Sequence, residues 1–240
     1  MLTTNWSTRH RLLGGVGKGG AKVAVGAPLT LTTDQKVAQS ELRASFALPS
    51  ATVRLGVSIL GGTRPASTTA AAAAAGAKFS TEIFIDFVPR SGRTAGDSSS
   101  RPWSVNAGYD QSSILCPNYS GKRFDPPPSL SNRSACPSRS EPLLLKPSDT
   151  SLEFAVWCDN VVCEVFLMGG RQAWTIPLPC EAIVGGAGAA AFARSVGGGT
   201  TGPGQSGRDS GRGVTLLSAQ VWEVKGIEYD EDTESPDNRT

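Results

Sequence analysis

The carboxylates Glu153, Asp159 and Glu164 are the side chains best placed to do chemistry. Glycoside hydrolysis uses two carboxyl groups held about 5 to 10 Å apart, one an acid and the other a base or nucleophile. Glu153 and Glu164 fall on one face of a run of alternating strands, with Asp159 at the turn between them. Exposed carboxylates on strands are commonplace, however, and ordinary outward-facing charges account for all three. Triad chemistry lacks an ordered base, because the single histidine, His10, lies in a polar, Gly-rich segment. The run Gly14 to Lys22, GGVGKGGAK, puts glycines before a lysine, but a phosphate loop needs Ser or Thr directly after that Lys, and Gly19 stands there. No Cys-x-x-Cys pair occurs, which argues against a zinc ribbon or a redox dithiol. We expect no catalytic, cofactor or metal site in the chain.

The elements that must position these residues run from Ser151 to Pro179, SLEFAVWCDNVVCEVFLMGGRQAWTIPLP. Leu152, Phe154, Val156 and Cys158 alternate with Glu153, Ala155 and Trp157, the period-2 signature of a half-buried strand. A two-residue turn at Asp159-Asn160 predicts a second strand from Val161 to Met168. Gly169-Gly170 predicts a second tight turn into a strand from Arg171 to Leu178. The register that follows sets Val156 opposite Cys163, Phe154 opposite Val165, Val165 opposite Trp174 and Cys163 opposite Ile176. That face is apolar. The other is mixed, with Trp157, Val162, Phe166 and Met168 broken by Glu153, Glu164 and Arg171.

At 240 residues with 28 glycines and 16 prolines, the chain favours turns and strands over helices. A net charge of +2 with scattered basic residues points to neither nucleic acid nor an anionic membrane surface. No apolar run approaches the roughly 18 residues of a membrane span, and no secretion signal is visible. Residues 1–40 read as a flexible linker or the remnant of a preceding domain, 41–227 as the β domain and 228–240 as an acidic, polar tail. Within the β domain, Leu42 to Leu48 and Val53 to Ile59 alternate on either side of Pro49-Ser50 and suggest a hairpin. Phe79 to Val88 and Val214 to Val224 read as further strands, Trp103 to Tyr109 as a short one. Thr63 to Ala77 is an Ala/Ser/Thr-rich insertion.

The cysteine count is five. In the register above, Cys158 and Cys163 are diagonal neighbours at about 7 to 8 Å, too far for an unstrained bridge, and are expected as buried thiols. Cys116 and Cys136 could pair in an oxidising compartment, leaving Cys180 over. Sequons at Asn5, Asn118, Asn132 and Asn238 fit a secreted glycoprotein and also arise by chance in Ser/Thr-rich sequence.

The segment VWCDNVVCEVFLMGGRQAWTIPLP resembles the C-terminal β-sandwich of glycoside hydrolase family 32, the invertases, fructan hydrolases and related fructosyltransferases. The likeness rests on Asp159, Val161, Val162, Glu164, Phe166, Gly169, Gly170, Arg171, Thr175 and Pro179. The sequence departs from the family pattern at Trp157-Cys158, at Asn160 and at Leu178. LRASFALP with RLGVSIL, and LLSAQVWEVKGI with Trp222 and Val224, resemble the opening and closing strands of that module. The resemblance implies an all-β, two-sheet antiparallel sandwich, a concanavalin-like jelly roll, here with long Gly/Ala/Ser/Pro-rich loops. It also implies an extracellular or vacuolar location.

Catalysis in that family belongs to a preceding five-bladed propeller with an Asn-Asp-Pro-Asn-Gly motif, an Arg-Asp-Pro and a Glu-Cys. None of these occurs in the chain. The resemblance therefore implies an accessory module whose partner is that propeller or a second copy in a homodimer. Trp157, Asp159, Glu164, Phe166, Met168 and Arg171 are the candidate interface or sugar-contact residues. The alternative is a lectin-like sandwich that binds carbohydrate itself, with Trp157 and Trp103 as sugar platforms. A second sheet or a long loop lying over the mixed face would account for its composition equally well.

Overall fold

Alternating sequence becomes two packed sheets. The structure is a computed structural model and describes residues 11–17, 19–63, 78–89, 103–117, 133–136, 138–178, 188–196 and 213–224. Its strands are β1 Arg11–Val16, β2 Ala21–Ala24, β3 Leu29–Thr32, β4 Gln39–Ala47, β5 Val53–Thr63, β6 Lys78–Pro89, β7 Trp103–Asp110, β8 Leu115–Pro117, β9 Arg133–Ala135 and β10 Ser138–Pro142. They continue with β11 Ser151–Asp159, β12 Val162–Leu167, β13 Gln172–Pro177, β14 Ala189–Arg194 and β15 Gly213–Glu223. One sheet has the order β1-β15-β4-β11-β12-β13, with β2 also pairing β15. The other has the order β10-β7-β6-β5-β14-β3, and β8 and β9 form a separate pair. All the strand pairs are antiparallel. The molecule is an all-β, two-sheet antiparallel sandwich.

The inner faces meet as the alternation requires. Leu42, Phe46, Leu152, Phe154, Val156, Val165, Leu167 and Ile176 of the seven-stranded sheet are buried, as are Leu55, Val57, Ile83, Ile85 and Phe87 of the six-stranded sheet. Burying each such side chain contributes about 1.5 to 3 kcal/mol. Phe46 and Phe154 meet edge-on with ring centroids 5.6 Å apart. Tyr109 of the six-stranded sheet meets Trp174 of the seven-stranded sheet at 6.3 Å. Gln111, fully buried, donates from Nε2 to the Pro177 carbonyl oxygen at 2.9 Å and so ties the two sheets together at one edge.

The structure corrects four expectations. First, β4 and β5 are not a hairpin: the chain crosses from one sheet to the other between them. Both strands have one apolar face, and alternation alone does not say whether two such faces lie side by side or stack across a core.

Second, residues 11–32 are not a flexible linker. β1 and β2 pair β15, β3 pairs β14, and Gly26 N–H donates to the Ala193 carbonyl oxygen at 2.9 Å. Val23 is fully buried. Glycine-rich sequence hid these strands because their pairing partners lie more than 150 residues away.

Third, the turn after β11 occupies Asn160-Val161, with Asp159 opposite Val162. Asn160 takes φ 47°, a left-handed conformation that asparagine tolerates better than most residues. The one-residue slide moves each partner by two, which preserves the inward and outward faces. It also sets Cys158 directly opposite Cys163, with Cα atoms 4.1 Å apart, and the two are disulfide-bonded rather than free. Cys136 is disulfide-bonded as well. The side chains of Cys116 and Cys180, and the asparagines of all four sequons, lie outside the described residues, as do residues 64–77 of the insertion and the tail at 228–240.

Fourth, the second turn keeps the expected register, with Val165 opposite Trp174, but Met168 does not join the outer face. Met168, Gly169 and Gly170 take φ values of 52°, 67° and 87°, and this left-handed run turns the Met168 side chain inward, leaving it 5% exposed.

Two measurements check these corrections. Val23→Ala is expected to lower the unfolding free energy by about 2 kcal/mol in a denaturant titration, as removal of a core side chain should. A flexible linker would give no change. Replacing both cysteines of the hairpin, Cys158→Ala with Cys163→Ala, is expected to cost about 2 kcal/mol, the chain-entropy value for so short a loop.

Candidate functional site

The outer face of the seven-stranded sheet gathers most of the candidate residues. Pairing across β1, β15, β4, β11, β12 and β13 puts Leu12, Trp222, Glu41, Trp157, Glu164 and Thr175 in one row. The next row is Gln220, Arg43, Ala155, Phe166 and Ala173. Trp157 is 39% exposed and Phe166 36%, while Glu41 is only 6% exposed between its two indole-bearing neighbours. Arg43 Nε donates to Glu41 Oε1 at 2.5 Å and reaches outward from there. Glu164 is exposed beside Trp157.

Trp157, Glu164 and Phe166 are thus brought together as alternation predicts. Asp159 lies exposed at the tip of the β11–β12 hairpin, and Arg171 in the turn between β12 and β13 at the other end of β12. Trp103, the other expected sugar platform, is not on this face. It packs beside Phe87 of the six-stranded sheet at 6.3 Å, with its indole nitrogen buried. Glu41, Arg43 and Trp222 were missed as members of the face. Their partners are more than 100 residues distant, and a bulge in β15 between Leu216 and Ser218 reverses which residues of that strand face out. Val214 and Leu216 are buried before it, Ala219 and Val221 after it. The doublet Leu216-Leu217, which breaks the alternation, is the available signal.

Arg171 is committed to structure. Its guanidinium makes a two-pronged pair with Asp149, with Nη2 donating to Oδ1 at 2.8 Å and Nη1 to Oδ2, and so pins the β13 turn to the loop before β11. The hydrogen bond from Arg171 holds the Asp149 carboxyl below the usual carboxylate range, against the opposing effect of desolvation, with help from the Lys146 backbone N–H.

The six-stranded sheet carries a second charged face that sequence reasoning did not single out as a site. Arg54 lies 3.8 Å from the Phe84 ring centroid and makes two bonds to Asp86, 2.7 and 2.9 Å long. Its pKa is raised, chiefly by that hydrogen bonding. Arg194 covers Phe192 at 5.0 Å and pairs with Glu82 through Nη1 at 2.8 Å and through Nη2. Asp86 and Glu82 are thus each matched by a guanidinium. A cavity of about 290 Å³ at the β3 and β14 edge is lined by Thr30, Thr32, Thr33, Ser58 and small residues, with no titratable side chain. Among the described residues, no group of three or more His, Cys, Asp or Glu could hold a metal ion.

Larger solved proteins contain a region of similar fold. Fructan 1-exohydrolase IIa from Cichorium intybus, solved in complex with 1-kestose, superposes with a TM-score of 0.56 at 14% identity, over 88% of this chain and 35% of that chain. The chain shares its fold with part of a fructan hydrolase. Fructofuranosidase from Schwanniomyces occidentalis, solved with fructose, superposes with a TM-score of 0.50 at 12% identity, over 90% of this chain and 34% of that chain. This chain therefore spans about a third of the length of the solved proteins it resembles. No protein-family model and no curated protein matches the sequence.

The Arg171–Asp149 pair generates a pH prediction. The folded pKa of Asp149 lies below its unfolded value of about 3.9, so the pair's stabilisation is present above that value and is lost as pH falls through the folded pKa. Asp149→Asn is expected to lower the melting temperature at pH 7, and the two melting curves are expected to converge as pH falls through the folded pKa of Asp149 when followed by circular dichroism.

Proposed function

We infer that the chain is a non-catalytic accessory β-sandwich module of a β-fructofuranosidase-like glycoside hydrolase, whose parent activity is cleavage of O-glycosidic bonds in sucrose or fructans. Its role is to brace a catalytic propeller or a dimer of that enzyme. The observation that carries this reading is the fold likeness to fructan 1-exohydrolase IIa, which takes in 88% of this chain but only 35% of that one. A domain-sized match inside a much longer enzyme is what an accessory part gives.

Two features support it. The motif residues Asp159, Glu164, Gly169, Gly170 and Arg171 serve the hairpin itself, as a strand end, an outward position, two left-handed turn positions and a pinned guanidinium. The carboxylates Glu153 and Glu164, which first invited a glycosidase reading, stand on an open sheet face. Acid and base chemistry on a glycosidic bond needs two carboxyl groups facing each other across a bound sugar, one of them with a raised pKa.

The purified chain, incubated with sucrose, 1-kestose or inulin, is expected to release no fructose. Turnover that disappears in the Glu164→Gln variant would overturn the accessory reading.

A further inference from the structure

We propose that the Cys158–Cys163 bridge is a redox-dependent lock on the register of the β11–β12 hairpin, closed where thiols are oxidised. The lock goes beyond the accessory role and stands without it, because it concerns how this hairpin reaches its register.

Two registers of the hairpin keep every inward residue inward. In the observed one the turn is Asn160-Val161, and Cys158 lies opposite Cys163, Trp157 opposite Glu164 and Val156 opposite Val165. In the other the turn is Asp159-Asn160, and β12 moves by two residues, about 7 Å along β11. Val156 would then lie opposite Cys163, and Trp157 opposite Val162. Side chains alternate with period two, so this shift leaves the apolar face apolar, and parity does not choose between the registers.

Local chemistry favours the register that the structure does not adopt. Aspartate and asparagine are turn residues, whereas valine is a strand residue. In the observed register Val161 occupies the turn and is 67% exposed. In the other it would extend β12 on the inward face. What the observed register has in return is the bridge. Cys158 and Cys163 are directly opposite, with Cα atoms 4.1 Å apart, and are 5% and 0% exposed. In the other register they are diagonal neighbours at about 7 to 8 Å, beyond the reach of an unstrained disulfide. The bridge therefore belongs to one register only. The contacts that β13 makes across the core, Trp174 with Tyr109 and the Pro177 carbonyl with Gln111, belong to that register too, but they need both sheets in place. The bridge needs only the hairpin.

Closing the lock removes two protons and two electrons from the two thiols. A protein or low-molecular-weight disulfide takes them up by thiol–disulfide exchange and leaves as two thiols. Such disulfides prevail outside the reducing cytosol, and Cys136 of this chain is oxidised as well. With the lock open, the hairpin populates both registers, and the residue opposite Trp157 on the outer face alternates between Glu164 and Val162.

The test compares the whole oxidised chain, labelled with carbon-13 and nitrogen-15, with the variant carrying Cys158→Ala and Cys163→Ala. Antiparallel strands bring Hα atoms together at every second pair, the non-hydrogen-bonded ones. With Cα atoms 4.1 Å apart, Cys158 and Cys163 are such a pair. In the other register Trp157 and Val162 would be. The oxidised chain is expected to show an Hα contact between positions 158 and 163 and none between 157 and 162. The variant is expected to add a minor set of signals, about a tenth of the molecules, with the contact between 157 and 162. A second variant, Cys158→Val with Cys163→Val, keeps the core filled and is expected to do the same. The lock is overturned if both variants hold the observed register alone, or if mass spectrometry of peptides from the oxidised chain finds positions 158 and 163 unbridged. Loss of the fold in both variants also overturns it, since a lock on register leaves the core residues inward.

Discussion

Strand β4 is clamped along both edges, by β15 on one side and β11 on the other, and its parity governs both faces of the seven-stranded sheet. Leu42, Ala44 and Phe46 point into the core while Glu41 and Arg43 point out. A slip of one residue against either neighbour would carry Phe46 to solvent and Glu41 into an apolar interior. A buried, unpaired carboxylate and several exposed core residues would each cost several kcal/mol, against a total stability of about 5 to 15 kcal/mol. The position of Glu41 between two indoles is therefore a consequence of core packing. The face inherits its order from the core.

The β11–β12–β13 hairpins show how local chemistry supports that parity. Asn160 and the Met168–Gly170 run accept left-handed backbone, which lets both turns close tightly. Added Cβ atoms at Gly169 and Gly170 would meet nothing within 4 Å, so these glycines serve conformation rather than space. The Asn160 N–H donates to the Ala38 carbonyl oxygen at 2.7 Å, which moors the tip of the first hairpin beside the start of β4. The Cys158–Cys163 bond sits one pair inside that tip, and the Arg171–Asp149 pair holds the other end. Between these moorings the outward residues Trp157, Glu164 and Phe166 have little freedom to change register.

The N-terminal strands close the sandwich along one side. β2 pairs β15 in one sheet, and the next residue, Val25, bridges to Ala193 of β14 in the other. Gly14 in β1 approaches β3 so closely that a Cβ there would lie 2.3 Å from the Leu31 carbonyl oxygen. Small residues in this stretch allow backbone to cross from sheet to sheet at close range, and the same smallness makes it read as a connection.

Much of the fold was legible from side-chain period alone. Leu152, Phe154 and Val156 alternate with Glu153, Ala155 and Trp157, and because a strand turns its side chains at every residue, that pattern determines an inner and an outer face without knowledge of partners. The all-β class, the dry face of the central strands and the outward placement of Trp157, Glu164 and Phe166 follow from it. What tertiary structure decided is which strands lie side by side. β4 could pair β5 or cross to the other sheet, and the turn at Asn160 could begin one residue earlier. The β15 bulge determined whether Trp222 faced the core or joined Trp157. These choices rest on contacts between residues far apart in the chain, whose free energies are shared by the whole core, and no local pattern of residue types carries them.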